Sequence, residues 1–508
     1  MSITTISGDS GSTTGTTITF SSTPYVGSST SFVASSSSVS FNVTDSNSNT
    51  IIGSSAGNST ITGSNNTGLG HNTLNQNSSG INNVAVGAGT LASNTSSSLN
   101  TAVGYNALNA NTTSAQGNTA VGAYALAVNT GGQNTGLGTL ALYHNTTGVT
   151  NTAVGYEAML DNTTGSQNVA MGCNALNTNS SGSNNVAIGF ESMLASTTGS
   201  SNVGVGYLTL LTNTIGNENV ALGTLSLQAN TTGNGNCGVG TAALPSNTTG
   251  SFNVGMGKYA LEANQTGSNN VAIGYQALAT STVSNNTAIG NEALISSSTG
   301  INNVAVGYNA VWTNTTGSQN TAVGYTTLQL LSTGSSNTTL GYQAGLNYNS
   351  SESNNILIGA GVTGTAGESN TIRVGGSQTA CYVAGINGAT VTGSTVLVAT
   401  NGQLGTVLSS VRYKENIKDM QSESNGIFDL RPVTFNFKAD QNKSRQYGLI
   451  AEEVLGSFPD LVLLNDKNEP ESVKYHDLPV LLLNEIQKQQ QTIKDLTARL
   501  EKLEHASN

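Results

Sequence analysis

Residues 303–319 read Asn-Val-Ala-Val-Gly-Tyr-Asn-Ala-Val-Trp-Thr-Asn-Thr-Thr-Gly-Ser-Gln, and the same pattern returns along the chain from Asn49 onward. A glycine closes each short apolar run from Gly53 to Gly359, at a spacing of 17 with an occasional 16 or 18. An Asn stands four residues before every one of these glycines, from Asn49 to Asn355, and a weaker copy of the unit ends at Gly375. The Gly, Asn, Ser and Thr content alone would suggest low-complexity disorder. A polar tract without structure has no reason to keep such a register over about three hundred residues, so the periodicity decides for a repeat solenoid.

The unit has a physical reading. In Val84-Ala85-Val86 the two valines point one way and the small Ala the other, as strand alternation requires. Both faces are apolar, which suits a strand buried in its own coil on one side and close to another chain on the other. The Ala-Leu pair four residues on, as in Ala107-Leu108 and Ala277-Leu278, predicts a second inward segment. The Asn162-Thr163-Thr164-Gly165 stretch has turn chemistry, since Asn and Gly tolerate left-handed backbone and Thr hydroxyls can satisfy it. Stacked coils place each Asn over the next and predict an amide ladder along the axis. About twenty coils, roughly 4.8 Å apart, give a rod on the order of 95 Å long. So small a unit depends on stacking and on association with other chains.

Charge divides the chain sharply near residue 408. Residues 1–408 hold two basic side chains, Lys258 and Arg373, and ten acidic ones, whereas residues 409–508 hold thirteen and sixteen. Neither part is basic, so no nucleic-acid groove is expected. The three cysteines, Cys173, Cys237 and Cys381, lack metal or redox spacing. Cys237 replaces a repeat Val and reads as a small core residue. No cofactor or metal is expected. The opening MSITTISGDSGSTTG has no basic or apolar signal region, and no apolar run is long enough for membrane insertion, so neither is expected.

Some motifs carry little. Gly8-Asp9-Ser10-Gly11 lies in a tract without His. The Asn-Thr-Thr glycosylation matches are nearly automatic in an Asn/Thr-rich repeat. Regular Thr arrays can bind ice, but these tripeptides fall where turns are expected. Residues 1–48, with the alternation Val39-Ser40-Phe41-Asn42-Val43, read as a Ser/Thr-rich cap or attachment segment. Residues 49–376 are the solenoid shaft. Residues 377–408 form a neck, with Cys381–Ile386 and Val396-Leu397-Val398 as strands between Gly turns.

From Ser409 the composition becomes globular. Phe428, Leu430, Val433, Phe435 and Phe437 read as strand material around Pro432, Gly448–Val454 begins a short helix, and Pro459 and Pro470 mark loops. Helix follows from Leu478. Leu482, Ile486, Ile493, Leu496, Leu500 and Leu503 fall on heptad a and d positions, with Gln489 a polar d. Such a narrow strip predicts a coiled coil over residues 478–505, of two or three strands as far as the heptads alone decide.

Two resemblances now attach to these residues. The iterated Asn-x-Ala-Val-Gly-Tyr-x-Ala-Leu resembles the β-roll repeats in the heads of trimeric autotransporter adhesins and the shafts of some phage and giant-virus fibres. Adhesin repeats are shorter than this one. Residues 409–477 and the terminal helix resemble the C-terminal intramolecular chaperone domain of phage tail spikes and endosialidases, which cuts itself off after assembly. Four features in order carry that likeness: Ser409–Ile417 (SSVRYKENI), Leu430–Phe435 (LRPVTF), Tyr447–Val454 (YGLIAEEV) and the final helix. In that family a Ser–Lys dyad cleaves the bond before the Ser, which implies Ser409 and Lys414 as catalytic residues and Leu408–Ser409 as the scissile bond. A lysine base must be neutral, which desolvation or nearby positive charge favours; Arg412 and Lys418 are close in sequence. The family has an acidic residue after the nucleophile where this chain has Ser410, so the resemblance alone is compatible with Ser409 or Ser410 as the nucleophile. Read without the resemblance, Ser409 is a turn residue and Lys414 a solvated charge.

The expectation is therefore a mainly β protein: a parallel β-roll or β-solenoid of 17-residue repeats, trimeric, followed by a small α/β domain and a C-terminal coiled coil. The resemblances imply a homotrimeric virion fibre that attaches to a host-surface receptor or glycan. Its tip would act once on itself as a serine endopeptidase, with no turnover enzyme expected. A bacterial surface adhesin with a non-cleaving trimerisation tip is the alternative. A glycan-cleaving enzyme would need paired carboxylates, and the acidic residues before 409 are scattered singly.

Overall fold

A computed structural model describes residues 45–111, 115–383, 395–399, 403–406, 408–465 and 467–506. The alternation at Val39–Val43, the Gly8–Gly11 motif and residues Ala384–Ile386 lie outside them. Two compact units divide between Ala380 and Cys381.

The first unit is a solenoid of twenty three-residue strands, β1 (Thr50–Ile52) to β20 (Ile372–Val374), in one sheet. Each strand pairs in parallel with the same residues of the next coil, so Val203 meets Val220 and Val220 meets Cys237. The middle residue of each strand points inward: Ala272 is fully buried, while Val271 and Ile273 on the same strand face out. The Ala-Leu pairs are interior as expected, with Ala107, Leu108, Ala277 and Leu278 all at zero exposure. Cys237 lies half-buried on the outer face and not in the core, because it stands at the first strand position.

The amide ladder is present and unbroken. Nineteen buried Asn, from Asn49 to Asn355, stack coil upon coil. Asn202 shows the pattern: its backbone N–H donates to Asn185 Oδ1 at 3.0 Å, and its own Oδ1 accepts from Asn219 N–H at 3.0 Å. Its Nδ2 donates to Gly216 O at 2.9 Å. Asp45 supplies the missing acceptor at the first coil, taking the Asn49 N–H at 2.9 Å. Thr371 N–H closes the far end on Asn355 Oδ1 at 3.0 Å.

The left-handed residues are not in Asn-Thr-Thr-Gly, contrary to the sequence reading. In the coil of residues 151–167 they are Gly155, Glu157, Met159 and Gln167. The reason is hydrogen-bond direction. Glu157 N–H donates back to Thr139 O and Met159 N–H forward to Ala175 O, so the chain must flip successive amides along the axis. Only glycine suits position 155: φ is +136°, and a Cβ would sit 2.5 Å from Gly172 O. The Thr hydroxyls do satisfy backbone, as Thr163 Oγ1 donates to Ser180 O at 2.6 Å.

The C-terminal coil ends in a charged cap. Buried Tyr348 donates to Glu368 Oε1 at 2.6 Å, Arg373 pairs with the same carboxylate, and Glu352 Oε1 accepts the Gly367 N–H at 2.9 Å. The Arg373 guanidinium, followed by the Tyr348 hydroxyl, holds Glu368 at about 2 against an ordinary 4.5. A depressed carboxyl stabilises above its unfolded value and loses that contribution as pH falls through the folded one. Hydrogen exchange at Gly367 and Thr371 should therefore quicken as pH drops from about 4.5 towards 2, once intrinsic exchange is corrected for, and Glu368→Gln should remove most of the difference.

The second unit is small. Strands β21 (Val396–Val398) and β22 (Leu404–Thr406) pair antiparallel, as do β23 (Val433–Phe435) with β24 (Gln446–Gly448) and β25 (Val462–Leu464) with β26 (Pro470–Val473). Cys381–Val383 is not strand. Phe428 lies in a 3-10 segment, Gln421–Asp429, so the apolar run around Pro432 is only partly strand. Pro470 opens β26, a place where its missing N–H is tolerated. Helix α1 (Ala451–Ser457) contributes Val454 to a core with Leu461, Val462, Val473 and Leu481. Helix α2 (Leu478–Ala506) is 29 residues long, about 43 Å. No helix among the described residues is long and apolar enough to cross a membrane.

Candidate self-cleavage site

One tight turn builds the site. Ser410 caps the 3-10 turn Val411–Tyr413, its Oγ accepting the Arg412 N–H at 3.4 Å, and Lys414 ends the turn with its N–H on Val411 O at 3.2 Å. The turn folds Lys414 back over the residue before the cap. Lys414 Nζ lies 3.2 Å from Ser409 Oγ. Arg412 Nε donates instead to Ser410 Oγ at 3.2 Å, and its guanidinium lies over the Tyr413 ring. The two adjacent serines thus have different partners: Ser409 has the lysine, Ser410 the arginine and the cap.

A hydroxyl beside an amine can serve as nucleophile and base once the amine is neutral. In the single chain Ser409 and Lys414 are both exposed, as are Leu408, Val411, Tyr413 and Ile417 around them. Four large apolar side chains in water beside a polar pair are more than solvent alone explains. Arg412 and Lys418, the cations noted in the sequence, are also exposed.

A second polar cluster was not visible in the sequence. Ser424 is fully buried, and its Oγ donates to Glu485 of α2. Lys488 Nζ reaches Glu485 Oε1 at 2.6 Å, and Asn484 Nδ2 reaches Gln421 O at 3.0 Å. The Lys488 ammonium, with the Ser424 hydroxyl, holds the Glu485 carboxyl below its usual range. These bonds tie α2 to the 3-10 segment that follows the dyad turn. The heptad residues Leu482, Ile486, Ile493, Leu496, Leu500 and Leu503 all stay about half exposed or more.

Residues 409–463 match the peptidase S74 family, chaperone of endosialidase, and the match begins at Ser409. No curated protein and no solved structure matches the chain. On the strength of that match and of the solenoid before it, this is a tail-fibre-like β-solenoid protein with an endosialidase-type chaperone domain at residues 409–463.

Proposed function

We propose that the chain is the shaft of a homotrimeric fibre carried on a virion for attachment to a host-surface receptor or glycan. Its tip trimerises first, sets the register of the three shafts, and then releases itself by cutting Leu408–Ser409. The matched chaperone family implies a trimer, and the outward face of the solenoid supports one. Along that face the first and third strand positions are Val, Thr, Ile, Leu, Met or Cys from β1 to β20. A row of aromatics runs beside it, including Tyr308, Tyr325 and Tyr342 stacked at 5.2 and 5.6 Å. Twenty strands some 10 Å long make a stripe on the order of 900 Å². That exceeds the roughly 300–600 Å² that monomers usually expose and is comparable to the ~800 Å² per partner of a standard interface. Further copies of this chain are the occupants that repeat with the same period. The exposed heptad seam of α2 offers them a nucleus.

The cleavage step balances as follows. Neutral Lys414 Nζ takes the Ser409 Oγ proton while Oγ bonds to the Leu408 carbonyl carbon. The C–N bond breaks, the Ser409 nitrogen receives the proton, and water then hydrolyses the Leu408 ester. The 3.2 Å contact supports Ser409, and not Ser410, as the nucleophile. Assembly that covers Val411, Tyr413 and Ile417 would exclude water from Lys414 and favour its neutral form. Cutting would then follow correct trimerisation. Sedimentation of the uncleavable Ser409→Ala chain tests the assembly: the expected mass is three times 51.5 kDa. A monomer or dimer at micromolar concentration would refute the trimer.

A further inference from the structure

The shaft holds a second amide ladder, and this one is interrupted. Its members are the Asn that open the turn stretches such as Asn162–Gly165, and each one stacked on an Asn one coil earlier donates twice through its Nδ2. Asn162 shows the rule, with bonds to Asn145 Oδ1 at 2.6 Å and to Gly165 O at 2.9 Å. The ladder runs from Asn77 to Asn179, resumes from Asn213 to Asn264, and leaves Asn314 by itself. At the position one coil after Asn179, Asn264 and Asn314 stand Ser196, Ser281 and Leu331.

Each interruption leaves the same mark. Asn179, Asn264 and Asn314 are the ladder members whose buried Oδ1 has no partner, and Ser196 and Ser281 have buried unpartnered Oγ atoms as well. All five residues are among the most buried in the protein, at zero exposure. An unsatisfied buried polar atom costs about 1–3 kcal/mol, so two of them at equivalent positions of successive coils call for a shared partner. Serine is two heavy atoms shorter than asparagine, and one water needs about 30 Å³ and two to four polar neighbours.

We propose that one internal water sits between Asn179 Oδ1 and Ser196 Oγ, and another between Asn264 Oδ1 and Ser281 Oγ, each replacing the missing Asn amide nitrogen. At Ser196 the donors and acceptors balance. The water donates to Asn179 Oδ1 and to Gly199 O, the two acceptors that an asparagine amide in place of the serine would have used. It accepts from Ser196 Oγ–H and from Asn213 Nδ2, which here bonds to Gly216 O without the usual Oδ1 partner one coil earlier. Leu331 provides the contrast, because the residue one coil after Asn314 is a fully buried apolar side chain that offers no second polar group. Ser297 needs no such water, since its Oγ reaches Gly300 O at 3.3 Å.

The test is a crystallographic map of the full assembled chain at a resolution that shows ordered water. The expected result is density within hydrogen-bond distance of both atoms at the Ser196 and Ser281 gaps, and none beside Asn314 Oδ1. In Ser196→Asn the first density should give way to the amide while the second persists. Absence of density at both serine gaps in the parent would overturn the proposal, as would equal density beside Asn314. If Ser196→Asn does not assemble, the parent map and a Ser281→Asn map decide it.

Discussion

Asn202→Ala should destabilise the shaft by about 3–5 kcal/mol and split its thermal unfolding into two transitions. Asn202 is fully buried at the middle of the unbroken ladder. Truncation leaves the Asn219 N–H without its acceptor, and it removes the Nδ2 bonds to Asn185 Oδ1 and Gly216 O. An orphaned buried donor costs about 1–3 kcal/mol, and each lost bond about 1 kcal/mol more. Stability in a solenoid is a sum over coils and their interfaces, so a weak interface separates the coils before it from those after it. Asn213→Ala, in the second ladder, is the control. Asn230 Nδ2 would keep Gly233 O, and no backbone N–H would lose its partner, so a single transition with a smaller shift is expected. Circular dichroism melting of both variants beside the parent measures the difference.

Ending the chain at Leu408 should reduce the yield of soluble trimer at least tenfold. The argument comes from the shaft itself. Strands β1 to β20 pair in one register within a chain, but their outward faces repeat almost identically at every coil. Three such faces can dock one coil out of step with nearly the same contacts. A long parallel sheet also forms slowly and exposes apolar edges meanwhile. The α2 seam is the feature that can bring three chains together before the shafts close. Size-exclusion chromatography with light scattering on the truncated and Ser409→Ala chains should show aggregate or monomer for the first and trimer for the second. Equal trimer yield from both would mean the shaft finds its register unaided.

The strongest periodicities were the most legible. Asn recurring every 17 residues fixed the coil, the ladder and the inward Ala-Leu pairs, because stacking turns sequence period directly into contact. Backbone direction was not legible: left-handed Met159 and Glu157 follow from where amides must point, and neither residue type advertises that conformation. The cap formed by Tyr348, Glu352, Glu368 and Arg373 escaped notice because its acidic residues look scattered in sequence. Ser424 and Glu485 escaped for a similar reason, being 61 residues apart with no repeat to link them. The helix of α2 was legible from its heptads. At the candidate site, adjacent hydroxyls are equivalent in sequence, and a single 3-10 turn separates them by giving Lys414 to Ser409 and Arg412 to Ser410. The charge-poor shaft and the charged tip were visible from composition, since solenoid coils use mostly amides and hydroxyls where a globular surface uses ions.

Intact mass after expression bears most directly on a tip that assembles the shaft and then leaves it. The parent should appear as two pieces, residues 1–408 and residues 409–508, while Ser409→Ala and Lys414→Arg should each give one chain of 51.5 kDa. Arginine keeps the charge but cannot act as a base, so it separates proton transfer from simple attraction. A parent chain that remains whole in its trimeric form, or one cut equally well with Ala at 409, would contradict self-cleavage at Leu408–Ser409.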